Sequence, residues 1–212
     1  MRILRPTQRS TEEIVADVAA CLRAGGTVIF PTETVYGIGC DPDNDAAVAA
    51  IFAAKARSLE KPLALHVTGI DQAQPYVVHI SDLAREAMAA FWPGPLAIIV
   101  ERNPSRFQRA ACSLGSISLR CPQDDLCQAI LRGAGPLAAT SANRSGAPAF
   151  VGDETHIPLL PQADLVVLAG PTTLGKESTV VDFTRTDPVV LREGAIAAAT
   201  IQRELGTLRD AG

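Results

Sequence analysis

A chain of 212 residues, 47% hydrophobic and 20% charged, is long enough for one sizeable core, and nothing in it marks a second; a single domain over 1–212 is expected, its core at about 10–205. Apolar runs such as Leu96 to Val100 fall far short of the roughly 20 residues that span a bilayer, and Met1 to Pro6 lacks the apolar stretch of a secretory signal, so a cytoplasmic protein with no membrane contact is expected. A formal charge of −4 excludes a wholly basic nucleic-acid coat but allows a local basic face, and five cysteines never spaced C-x-x-C argue against a disulfide framework or a zinc site.

Ser10 and Glu13 form a capping box, Ile14, Val18 and Leu22 make one helical face, and Gly25-Gly26 end that helix. Thr27 to Phe30, β-branched and aromatic, predicts a buried strand cut off by Pro31. The loop that follows, Pro31 to Gly39, carries Thr32, Glu33, Thr34 and Tyr36, and lies at a strand's C-terminal end, where ligands bind in open α/β sheets. A helix then starts within Asp41 to Asp45 and runs an apolar stripe through Val48, Ile51 and Phe52. Lys55 falls on the same stripe, so its ammonium either snorkels out or meets an anion. With Arg57 and Lys61 it makes a candidate phosphate or carboxylate site.

Leu63 to Val67 predicts a second strand, interrupted by His66. A helix from Ser81 or Asp82 to Phe91 stops at Trp92-Pro93-Gly94-Pro95, and Leu96 to Glu101 is again strand. Arg102, Arg106 and Arg109 follow Glu101 in a stretch with no acid of its own; a solvated loop is the favoured reading, with polyphosphate or RNA contact as the other. Ser116 to Pro122 alternates so that Ser116, Ser118 and Arg120 share one strand face. A short helix over Asp124 to Arg132 precedes the Leu137 to Ala139 strand and a polar loop, Thr140 to Gly146. The tail predicts strands at Asp164 to Leu168, Ser178 to Phe183 and Val189 to Arg192, and a closing helix over Ala195 to Leu205; Gly170 to Lys176 is a candidate flap. The result is an α/β chain with a mixed sheet. With neither G-x-G-x-x-G after a strand nor G-x-x-x-x-G-K-[ST], Rossmann and P-loop nucleotide sites are both excluded.

The ordered fragments PTETVYGIG, KAR, FWPGPL, SLRCP, TSANRSG, STVVD and LREGAI, spread over roughly Gly26 to Ile196, resemble the YrdC/YciO family, whose TsaC-type members are threonylcarbamoyl-AMP synthases. The resemblance implies a single-domain twisted mixed sheet with flanking helices and a large concave, positively charged cavity. It also implies a reaction of L-threonine, bicarbonate and ATP with Mg²⁺, yielding threonylcarbamoyl-AMP and pyrophosphate, the first step of tRNA threonylcarbamoyladenosine modification completed by a partner transferase complex. Residue by residue, it implies that Lys55, Arg57, Ser141 and Asn143 are catalytic. Thr32, Thr34, Tyr36, His66, Arg120, Thr140 and Ser178 would line the threonine pocket. Lys55, Arg57, Lys61, Ser116, Ser141, Asn143 and Arg192 would face ATP, with no metal-ligating residue because Mg²⁺ arrives on the nucleotide.

Ala97, Ala139 and Glu193 stand where the family pattern has Thr, Pro and Pro. A short form without the extra C-terminal domain is expected. The alternative is a YciO-like paralogue binding tRNA or double-stranded RNA with little synthesis; the related domain of hydrogenase-maturation proteins is a further one. No nucleophile-elbow motif is present, so positioning and charge stabilisation are the expected catalytic means.

Overall fold

The computed structural model describes residues 1–206 and the backbone of Arg209–Asp210. In chain order the elements are β1 (Arg2–Leu4), α1 (Thr11–Arg23), β2 (Val28–Phe30), β3 (Gly37–Cys40), α2 (Asp45–Lys55), β4 (Ala64–His66), α3 (Ile70–Ala73), α4 (Asp82–Phe91) and β5 (Leu96–Glu101). They continue through β6 (Ser116–Arg120), α5 (Asp125–Ala134), β7 (Leu137–Ser141), β8 (Leu165–Val167), β9 (Thr179–Asp182), β10 (Val189–Arg192), α6 (Ala198–Leu205) and β11 (Arg209–Asp210). The helix starts follow their caps: Ser10 and Glu13 close the reciprocal box, Asn44 accepts from Ala46 N and Ala47 N, and Ser81 and Asp124 cap α4 and α5.

The eleven strands of the described residues form one mixed sheet in the order β1-β8-β2-β3-β7-β4-β6-β5-β9-β10-β11. Strand alternation sends Val28, Leu137, Leu165 and Val167 into a core under α1 and α5, and Ile29, Leu65, Ile98 and Val181 into a larger core on the other face. The α2 stripe of Val48, Ile51 and Phe52 belongs to that larger core.

Three differences from the sequence expectation bear on the site. Gly37–Cys40, overlapping the end of the loop expected over Pro31 to Gly39, is a strand pairing antiparallel with both β2 and β7. Its glycines leave no side-chain alternation to read; a Cβ on Gly37 would lie 2.8 Å from Phe30 Cζ, so the bare backbone makes room for that ring. β7 runs on through Thr140 and Ser141, which pair with Ile38 and Gly37, so the polar loop begins only after Ser141. Arg2–Leu4, too short to show any period, adds to the sheet edge beside β8.

Candidate functional site

A cavity of about 300 Å³ opens over β7, β4, β6, β5 and β9. That volume lies at the lower end of the range of roughly 300–1,000 Å³ common for small-ligand sites. Its floor is two rows of register partners. One row is Ala139, Ala64, Ser118 and Ile99; the other is His66, Arg120, Ala97 and Val180. Neighbours in register point to one face of a sheet, so each row is a line of side chains standing side by side. Three of the eight are alanine, which keeps the floor low. Ala139 is shared with the core under α1 and α5, so the cavity occupies the part of that face that those helices leave open.

Arg120 is the floor's central group. It is 4% exposed, and its Nε donates to Gly94 O at 2.9 Å while Nη2 donates to Glu33 Oε1 at 2.9 Å and Thr34 Oγ1 at 3.2 Å. Among the described residues Nη1 has no hydrogen-bond partner, and it remains for a ligand. Glu33 is 5% exposed, and its Oε2 is buried without a partner. The loop carrying these groups is locked internally: Thr32 Oγ1 donates to Val35 O at 2.7 Å and lies 2.9 Å from Thr34 Oγ1.

His66 stands next to Arg120 in register and meets Phe30 edge-on at 5.7 Å. Burial, reinforced by the Arg120 charge, lowers its pKa from 6.5 to about 3, so the imidazole is neutral at physiological pH, and its buried Nδ1 has no partner. Folding therefore disfavours protonation. The unfolded chain binds the extra proton between pH 6.5 and 3, and stability falls as pH drops through that window. In urea titrations, His66→Phe is expected to flatten this acid limb; an unchanged limb would assign the loss to other groups.

Around the rim, Arg57 Nε and Nη2 donate to Lys61 O and Pro62 O at 2.8 and 2.9 Å, which fixes the guanidinium against the cavity. Arg192 Nε and Nη2 hold Ser178 O at 3.1 and 2.9 Å, and Nη1 meets Glu177 Oε2 at 2.7 Å. Three guanidiniums thus face one cavity in a chain whose net charge is −4. Low-dielectric walls focus such a local field.

The cavity brings together Thr32, Thr34, Tyr36, Arg57, His66, Arg120, Thr140, Ser141, Ser178 and Arg192 of the expected residues; Lys55, Lys61, Ser116 and Asn143 lie outside its lining. Lys55, 1% exposed, points its ammonium into the carbonyls of Ser141 and Asn143, and its own carbonyl accepts from Ser145 N. Asn143 turns its amide to Ala147 O and Arg144 O, and Lys61 is exposed. Tyr36 contributes its ring and backbone, because its hydroxyl donates to Gly170 O at 2.7 Å and accepts from Ala169 N; burial pushes its pKa up to about 12. Ser118, on the alternating face read from the sequence, occupies the floor where Ser116 was expected.

Two further readings change. Gly170 to Lys176 is tied down: Leu174 N and Thr173 Oγ1 both donate to Glu33 O, and Thr172 N donates to Val151 O. In the arginine loop, Arg102 is buried on the carbonyls of Leu114, Asn103 and Arg106. Arg106 pairs with Asp43 and sits 4.5 Å over the Tyr76 ring. The acid that Arg106 pairs with comes from the turn before α2, and these two arginines serve the fold.

The Sua5/YciO/YrdC family model, described as telomere recombination, matches residues 20–194. A putative threonylcarbamoyl-AMP synthase of Mycobacterium leprae is 37% identical over 96% of this chain and 92% of that relative. The structure of Pyrococcus abyssi Sua5 complexed with L-threonine superposes with a TM-score of 0.90 at 30% identity, over 99% of this chain and 62% of that one. Escherichia coli YciO, at a TM-score of 0.80 and 24% identity over 94% of this chain and 97% of that one, shares the fold.

Proposed function

The chain belongs to the Sua5/YciO/YrdC family, and on that premise we propose that it is a threonylcarbamoyl-AMP synthase, joining L-threonine, bicarbonate and ATP into threonylcarbamoyl-AMP and pyrophosphate for tRNA modification. The observation that carries the reading is the cavity floor: a buried arginine with one free nitrogen, beside a neutral histidine and threonine hydroxyls, under a rim bearing two more arginines. Such a floor suits a small amino acid, and the rim suits a polyphosphate.

In this reading Arg120 Nη1 takes the threonine carboxylate, and Thr34 and His66 hold its hydroxyl and amine. A neutral imidazole can accept one hydrogen bond and donate another, and it adds no charge that would repel the ammonium of an incoming amino acid. Once deprotonated, the threonine amine attacks the bicarbonate carbon and one of its oxygens leaves as water, giving a carbamate; a carbamate oxygen then attacks the α-phosphorus, and pyrophosphate leaves. Negative charge grows throughout. Arg57 and Arg192 neutralise it, Ser141 donates to the phosphates, Thr140 lines the threonine pocket, and Ser118 adds a floor hydroxyl. Lys55 acts from behind by fixing the strand end that carries Ser141 and the turn to Asn143. Mg²⁺ accompanies ATP as part of the substrate, the product passes to a tRNA-modifying transferase complex, and the work is done in the cytoplasm.

The test is pyrophosphate release from Mg-ATP by the purified chain, with L-threonine and bicarbonate each present or omitted. Release that needs both is expected. ATP left untouched under every condition overturns the reading, and salt-dependent RNA binding then becomes the function to measure.

A further inference from the structure

Among the described residues, Glu177 is the only acid lining a cavity otherwise furnished with Arg57, Arg120 and Arg192. The fold fixes its backbone. Glu177 O accepts from Ala195 N at 2.8 Å, and a Cβ on Gly194 would come within 2.2 Å of that same oxygen, so only glycine lets the two segments touch. The side chain is freer, at 40% exposed; Oε2 is engaged by Arg192, while Oε1 accepts no hydrogen bond among the described residues. Burial lowers the pKa values of Lys55 and Arg57, and the Glu177 charge offsets part of that lowering in both. A half-exposed carboxylate therefore pairs with Arg192 in a cavity that Arg57 also lines, and its charge reaches Arg57.

A bare polyphosphate entering there meets like charge. A phosphate chain carrying Mg²⁺ reverses the sign, and nucleotide sites commonly hold that ion with one or two carboxylates plus phosphate oxygens and water. Among the described residues no three His, Cys, Asp or Glu converge to hold a metal, so an ion in this cavity brings most of its own shell. Glu177 fits the single-carboxylate case.

We propose that Glu177 is the residue that makes this cavity select ATP as its Mg²⁺ complex. Its carboxylate yields Arg192 to a phosphate oxygen and turns to the metal, so that every charge keeps a partner. The inference rests on the nucleotide-binding part of the synthase reading and not on turnover.

The experiment is calorimetric binding of ATP to the full chain, with Mg²⁺ and with EDTA, for the native protein and Glu177→Gln, without threonine. The native protein is expected to lose about tenfold in affinity when Mg²⁺ is removed, the size of one favourable charge contact. In the variant the gap shrinks below about threefold, mainly because metal-free ATP binds more tightly, as a freed Arg192 and a lost repulsion require. An unchanged gap in a variant with native thermal stability overturns the proposal. So does an equal loss for both forms of ATP, which would mean that Glu177 only positions Arg192. If the native protein binds ATP in neither condition, the proposal falls together with the nucleotide site itself, whereas failure of Glu177 alone leaves ATP binding intact.

Discussion

Replacing Arg120 with alanine is expected to abolish threonine-dependent pyrophosphate release and to lower the unfolding free energy by about 3–5 kcal/mol, the cost of removing one partner from a buried ion pair. Both partners qualify, at 4% and 5% exposed, and Glu33 Oε2 is unpartnered even with Arg120 present. Without the guanidinium the carboxylate would be buried with no countercharge, and Gly94 O and Thr34 Oγ1 would each lose a donor. The double variant Arg120→Ala with Glu33→Gln separates the two effects. Neutralising Glu33 is expected to restore most of the stability and none of the threonine binding. Arg120→Lys should also fail, because a single ammonium cannot serve three acceptors and a ligand in the guanidinium's planar geometry. Denaturant titration and calorimetry with L-threonine read the outcome. Threonine binding at native strength in Arg120→Ala would remove this residue from the site.

Lys55→Ala and Arg57→Ala are each expected to reduce turnover by about 10² or more, the scale of losing one preorganised donor, but for different reasons. Arg57 faces the cavity, so its loss should leave thermal stability near native and strike the chemical step. Lys55 faces the carbonyls of Ser141 and Asn143, so its loss should lower stability as well and loosen the Ser141 to Ser145 segment. Native turnover in either variant would contradict its assignment. A pH series adds a check on Lys55. Burial, helped by the Arg57 charge, lowers its pKa from 10.5 to about 8. The unfolded chain thus holds the proton more tightly above pH 8, and stability is expected to rise between pH 8 and 10.5 as the buried charge is relieved. Lys55→Met should remove that rise.

Much of the fold could be read locally. The capping box at Ser10, the α2 stripe ending in Lys55 and the alternation through Arg120 are short-range patterns whose physics is complete within a turn or a strand. The strands at Gly37–Cys40 and Arg2–Leu4 escaped because glycines and a three-residue length carry no periodicity; they exist through partners elsewhere in the chain. Ser118 escaped in a different way. The alternating face was visible, but whether Ser116 or Ser118 lies over the cavity depends on the neighbours in register, Ala64 and Ile99.

Residue types and their spacing were enough to locate a hydroxyl-rich loop, a cationic helix end and an arginine on a strand face, because local order sets which side chains share an element and a side. What those groups do to one another depended on contacts across the chain. Arg120 meets Glu33 from 87 residues away, Lys55 meets Ser141 from 86, and Arg106 meets Asp43 from 63. Strand order and register create those encounters, and a charge's partner, protonation and freedom to bind follow from the encounter rather than from its neighbours in sequence.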